Sequence, residues 1–246
     1  FLQGTAFSKI RIYFTRKNFF EKINFNLISD LKGVSIDILG PLRKSTHESK
    51  LLNISYNYDK NRKNKTKVFF GKHKILVYVT KNVWYLDVDS PYIKGKINWP
   101  LRNSEKQRVI ANLLFLDMNK FSYPSNPNEL PYLDLKSKQV KIRSLHLDNV
   151  DVLVVPTKTS LVFEKFIFKN IYLSMDAKGE WMQTNKKGKT FFEAKFKSSN
   201  LGKALKSLGY NGLIRKGKID SQIIGFWPGS PETFKFSNFD GTLTLN

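Results

Sequence analysis

Apolar and polar residues alternate with a period of two along most of the chain, the pattern of strands with one buried face and one wet face. Ile23, Phe25 and Leu27 alternate with polar neighbours, and Val34, Ile36 and Ile38 follow a turn at Lys32-Gly33. Leu52, Ile54, Tyr56 and Tyr58 make the next run, and Asp59 to Lys67, basic and rich in Asn, reads as a hairpin loop. Val77 and Val79 come next, then Trp84, Leu86 and Val88, and after Ser90-Pro91 the set Ile93, Gly95, Ile97 and Trp99. Leu114, Leu116 and Met118 open the second half. Leu133 with Leu135, Val140 with Ile142, Leu145 with Leu147 and Val152 with Val154 continue it. Phe166 with Phe168, Leu173 with Met175, Ala194 with Phe196, Ile219 with Ile223, Phe234 with Phe236 and Leu243 with Leu245 complete it.

Two segments break the period. Leu201, Ala204, Leu205 and Leu208 fall at i, i+3, i+4 and i+7, one face of a short helix near 199–208. Ser199 or Asn200 can cap its start and Gly209 can end it; its apolar face is expected across one end of the sheet. The stretch 123–131 carries Pro124, Pro127 and Pro131, and proline cannot donate to a ladder. That stretch is the candidate crossover, and the candidate internal boundary in a chain otherwise read as one elongated segment, 1–246. Connections elsewhere are short, and a parallel sheet would need a crossover after nearly every strand. The fold class expected is therefore all-β, an elongated, twisted antiparallel meander with one short helix.

Composition narrows the picture. The 246 residues include 20 Phe, 10 Tyr and 4 Trp, which suit a pleated, half-buried surface. A mean hydropathy of −0.37 argues against both disorder and a membrane bundle. The formal net charge is +22, so nucleic acid, an anionic membrane surface or an acidic partner would all be attracted. The 42 basic residues are 34 Lys and 8 Arg, whereas specific phosphate or base recognition favours the planar fork of Arg. The lysines are also spread along the whole chain, as solvated strand faces require. There is no Cys, which removes disulfides and thiolate chemistry. No apolar run is long enough to span a bilayer. The chain lacks an initiator Met and begins and ends inside strand-like runs, so it reads as a fragment.

The search for catalytic chemistry fails at required residues. His47, His73 and His146 have no metal-ligand spacing. Asp87 and Asp89 alternate out of phase with Leu86 and Val88 and should face water, without the burial an acid–base pair needs. The run from Gly212 to Lys218 has the glycines of a phosphate loop but Ile219 where Ser or Thr belongs. Gly188-Lys189-Thr190 has the ending, with Gln183 where the first glycine belongs. Asn53-Ile54-Ser55 and Asn64-Lys65-Thr66 match a weak glycosylation sequon. Lys165-Phe166-Ile167-Phe168-Lys169 interleaves aromatics with lysine, yet no basic-Gly-aromatic core accompanies it, so these rings are expected in a core. The chain is expected not to be an enzyme and to need no cofactor or metal.

Three stretches carry a resemblance. They are Leu31-Lys32-Gly33 through Pro41-Leu42-Arg43-Lys44; Trp84-Tyr85-Leu86-Asp87 through Trp99-Pro100, with Leu130-Pro131-Tyr132; and Leu201-Gly202-Lys203-Ala204, Leu208-Gly209-Tyr210, then Trp227-Pro228-Gly229-Ser230-Pro231 leading into Phe239-Asp240-Gly241. In that order they resemble the C-terminal half of the YhdP-like members of the AsmA-like family of Gram-negative bacteria. Between about Asp59 and Val83 the chain departs from that pattern, where the family is usually longer. The resemblance implies an inner-membrane-anchored periplasmic protein whose curled sheet (a β-taco-like trough) conducts phospholipids between inner and outer membranes. It implies phospholipid acyl chains as partners, with outer-membrane or periplasmic proteins as further candidates and no nucleic acid. The N-terminal anchor lies outside this fragment. The trough would be lined by Phe25, Leu27, Ile36, Ile54, Trp84, Leu86, Val88, Ile97, Leu114, Leu116, Leu133, Leu135, Val140, Ile142, Leu145, Leu147, Phe166, Phe168, Phe196, Ile219, Phe234 and Phe236.

Alternation alone does not separate a trough from an ordinary core. Two other classes stay open at this level: a structural or partner-docking β domain of the envelope with its apolar face packed shut, and a basic nucleic-acid-binding β domain. An open continuous trough separates the first from the lipid reading, and salt-dependent nucleic-acid affinity tests the second.

Overall fold

The computed structural model describes residues 2–15, 22–37, 40–59, 64–80, 82–101, 108–121, 126–127, 130–183, 188–207 and 215–245. Ile38, the centre of the 59–67 loop, Pro124, the expected helix end at Leu208-Gly209 and the glycine at 212 lie outside the described residues. The chain divides into two compact units, Phe1–Asn103 with Lys120–Ser122, and Ser104–Asn119 with Tyr123–Asn246.

In the first unit β1 (Leu2–Gly4) pairs with β4 (Val34–Ile36) in a small antiparallel ribbon. The rest is a meander of β2 (Ser8–Thr15), β3 (Lys22–Ser29), β5 (Leu52–Asp59), β6 (Lys65–Phe70), β7 (His73–Thr80), β8 (Val83–Asp89) and β9 (Ile93–Pro100). Each strand pairs antiparallel with the next. The loop expected over 59–67 is shorter, because Lys65, Thr66 and Lys67 already belong to β6. Thr66 and Val68 keep the alternation there; the basic composition around them masks it. Gly71, at φ 56°, makes the tight turn between β6 and β7 possible.

In the second unit β10 (Val109–Asp117) and β11 (Leu133–Ile142) run parallel. This is a departure from the all-antiparallel expectation. The chain from 118 to 132 makes the crossover that a parallel pair requires, which is where the proline run sits. Every later step is antiparallel, through β12 (Leu145–Pro156), β13 (Ser160–Lys169), β14 (Leu173–Met182), β15 (Lys189–Ser198), β16 (Ile219–Pro228) and β17 (Asp240–Leu245). Two irregularities re-aim side chains. Asn149 takes φ 48° inside β12 and its amide donates to the Lys169 carbonyl at 3.0 Å. The register of β13 slips between Phe163 and Phe166. The register slip is a bulge, which bends a strand and increases its twist.

The expected helix is α1 (Leu201–Ser207). Asn200 is its cap, with Oδ1 accepting from the Lys203 amide at 3.0 Å. Ala204 is fully buried, and the Asn170 amide donates to Ser207 Oγ at 2.9 Å, so the helix sits at the β13–β14 turn, one end of the sheet. Phe234 and Phe236 belong to no strand. They lie in the connection between β16 and β17, where the prolines and Gly229 favour short 3-10 turns.

Candidate functional site: an uncharged sheet face

Register decides which residues share a face, because directly opposed residues point the same way. In the first unit Ile12 faces Phe25, Phe25 faces Tyr56, Leu27 faces Ile54, and Ile54 faces Val68. Val68 faces Ile75, Ile75 faces Val88, Val77 faces Leu86, and Leu86 faces Ile97. Of the expected lining, Phe25, Leu27, Ile54, Trp84, Leu86, Val88 and Ile97 therefore stand on one side of one sheet. Among the described residues no Asp, Glu, Lys or Arg of β2, β3 or β5–β9 occupies that side. Ile36 is elsewhere, in the β1–β4 ribbon.

The opposite side is polar. Asn26 donates to Asn53 Oδ1 and Ser55 Oγ, each at 2.9 Å; the sequon at Asn53 lies in a strand, with its side-chain oxygen already accepting. Asp87 and Asp89 are exposed there as expected, with Lys94 at 3.3 Å from Asp89.

The uncharged face of the first unit is open along much of its width. Ile10, Ile12, Phe14 and Val79 are exposed on it, and so is the cross-strand pair Trp84–Trp99, at 42% and 46%. Burying each aliphatic or aromatic side chain would gain about 1.5–3 kcal/mol relative to leaving it in water. A contiguous exposed apolar face of this kind marks an interaction site rather than ordinary surface. The other end of the face is closed. There Phe70 and Val88 are buried beside Ser29, His73 and Ser90. His73 lies against the rings of Phe70 and Tyr92. Burial, with Lys50 adding its positive charge, lowers the His73 pKa.

The second unit differs. Its inward side carries Leu116, Leu133, Leu135, Val140, Ile142, Leu145, Leu147, Phe166, Phe168, Phe196 and Ile219 by register. This side is packed: Leu161 is 1% exposed and Trp181 2%, and Ala177 and Ala194 are buried between them and the phenylalanines. Leu114 does not join it. It is 47% exposed, while Leu113 and Leu116 are buried, so the inward phase shifts by one residue within β10. One edge of this core is sealed by the β16–β17 connection. Phe234 stands edge-on to Trp227 at 5.0 Å, and the guanidinium of Arg143 donates to the Glu232 carbonyl. A Cβ on Gly225 would meet the Phe239 ring at 2.5 Å, so this glycine exists to let the ring lie on the sheet. The side chain of Phe236 lies outside the described residues. The outward side of this unit is laced with ion pairs, among them Lys165–Asp151 and Lys197–Asp220 at 2.8 Å and Lys178–Glu193 at 3.1 Å.

Sequence reasoning missed part of the open face. Ile10, Ile12 and Phe14 alternate as cleanly as any later run, but lie before the first run read as a strand, at Ile23. Val68 and Phe70 stand just past the segment read as a loop, 59–67, and were joined to no run. Among the described residues no group of metal-ligating side chains converges. Among the described residues no helix is long and apolar enough to cross a membrane. Gly188-Lys189-Thr190 leads into β15 rather than a helix, and Thr190 Oγ1 donates to the Gly229 carbonyl at 2.8 Å.

Comparison with known proteins agrees with the architecture. No curated protein and no solved structure matches the chain. A model of the YhdP protein family matches residues 70–246, well over half of the chain and including β7–β9 of the open face. The chain belongs to the YhdP family, a family of the cell envelope.

Proposed function

We propose that this chain is a lipid-handling segment of a periplasmic, inner-membrane-anchored AsmA-like protein, passing phospholipids between inner and outer membranes without a chemical step. The observation that carries the reading is the open, uncharged side of β2, β3 and β5–β9. An acyl chain laid on such a face leaves water at a gain of about 0.8 kcal/mol per buried CH₂. Register supplies the surface, since every strand contributes its inward positions. The packed interior of the second unit supports a scaffolding role for that part of the chain, which is the partner-docking reading confined to one unit. A photo-crosslinker placed at Leu86 or Leu27 in cells is expected to capture phospholipid, and one at Leu161 is not. Leu86→Asp should abolish lipid copurification while circular dichroism stays that of a β protein. Absence of lipid from both the Leu27 and the Leu86 adducts would sink the proposal.

A further inference from the structure

The closed end of the open face has a chemistry of its own. On the inward side, Phe70 of β6 is opposed by His73 of β7, and this pair ends the apolar rows. The two rings stack at 6.2 Å, and the His73 ring lies 5.9 Å from Tyr92. An ammonium stands at each side of this aromatic trio. Lys50 Nζ is 5.4 Å from the Phe70 ring centre and Lys120 Nζ is 5.8 Å from that of Tyr92. All five residues belong to the first unit. Lys50 Nζ spends one donor on the Arg43 carbonyl at 3.0 Å and keeps others. Neither lysine has a carboxylate partner among the described residues. Other lysines of the chain do have one, as Lys94 has Asp89 and Lys165 has Asp151.

We propose that Lys50, Lys120, His73 and Tyr92 form a site for the anionic head of an amphiphile whose acyl chain lies along the uncharged face toward Trp84 and Trp99. This assignment rests on the lipid reading and deepens it. The face suits such a ligand: a cluster with cationic donors stands at one end, and among the described residues of β2, β3 and β5–β9 no charged side chain stands on the face between it and Trp84–Trp99. The dimension matches too. Strands β3, β5 and β7 are each 8 residues long, so at about 3.3 Å per residue the face runs roughly 23 Å from its closed row to its open row, the span of a long acyl chain. A cation–π contact alone would explain one lysine packed over one ring. Here two ammoniums flank one aromatic trio at the buried end of an uncharged face, neither with a carboxylate partner among the described residues.

The shared chemistry is an anionic oxygen head, carboxylate or phosphodiester, and two probes separate them. The full chain is incubated with vesicles of equal phosphatidylglycerol and phosphatidylcholine, reisolated, and its bound lipid identified by mass spectrometry; a parallel sample contains oleate as competitor. Two charges near an anionic head predict about tenfold enrichment of phosphatidylglycerol. Lys50→Glu with Lys120→Glu should remove the enrichment while total bound lipid persists, and the double Arg variant should keep it. Displacement by oleate would assign carboxylate as well as phosphodiester heads to the site. Lipid bound without head-group preference would overturn the head-group site and leave the groove standing. No bound lipid at all would overturn both.

Discussion

At the scale of single residues, the two units respond differently to the same kind of change. Trp181 and Leu161 are buried in a packed interior, so Leu161→Ala should cost about 2–5 kcal/mol, most of it from the cavity left behind. Trp84 stands half in water, and Trp84→Ala should cost less than about 1 kcal/mol while lowering lipid capture; urea unfolding of the two variants checks the difference. His73 gives a second handle. Its pKa is lowered in the folded chain, first by burial and then by Lys50. The unfolded chain therefore holds more protons as pH falls through the ordinary histidine range, about 6.5. The stability owed to the neutral, buried imidazole is intact above that range and is lost progressively below it. Unfolding midpoints between about pH 7.5 and 5 should fall with pH in the natural chain and fall less in His73→Phe. An equal slope in both would refute this account.

At the scale of elements, the strands were legible and their irregularities were not. Period-two alternation located β3, β5, β8, β9 and β12–β16 from residues such as Leu86 and Val88, because a half-buried strand must alternate. It assigned Leu114 to the same face as Leu116, because a bulge or phase shift leaves no mark in composition. The left-handed residue in β12 illustrates this. Asn149 tolerates its left-handed φ since a short amide side chain can bond locally. Asn149→Gly should be nearly neutral, whereas Asn149→Val should cost more than about 1 kcal/mol from backbone strain alone, measured by thermal unfolding. The helix was readable to within two residues at its start because Asn200 and the 3.6-residue spacing agree. The strap between β16 and β17 was not, since Phe234 imitates strand alternation while packing on Trp227.

At the scale of the molecule, the class of fold followed from the sequence, while the state of the apolar face did not. Leu27 and Val140 look alike in their local pattern, yet one lies on an open face and the other in a sealed core. What separates them is long-range: Arg143 reaching Glu232, the ring of Phe239 over Gly225, and small residues such as Ala177 and Ala194 letting β14 and β15 pack beneath large ones. The lysine–aromatic cluster was likewise out of reach, for Lys50 and Lys120 lie far apart in the chain and come to the same aromatic trio only through the fold.

The parallel step between β10 and β11 has a consequence for how the chain acquires its structure. Hairpins form from neighbours in sequence and close short loops, whereas this pair must first close the crossover of residues 118–132. Loop closure costs entropy that grows with the logarithm of length, before any ladder bond repays it. Non-local pairing of this kind slows folding. β11–β16 can therefore zip up hairpin by hairpin, and β10 docks onto a preformed edge. Until it does, β11 offers a bare row of amides and carbonyls to any passing strand, which makes the proline-rich crossover the point at which this chain is most exposed to mispairing as it folds.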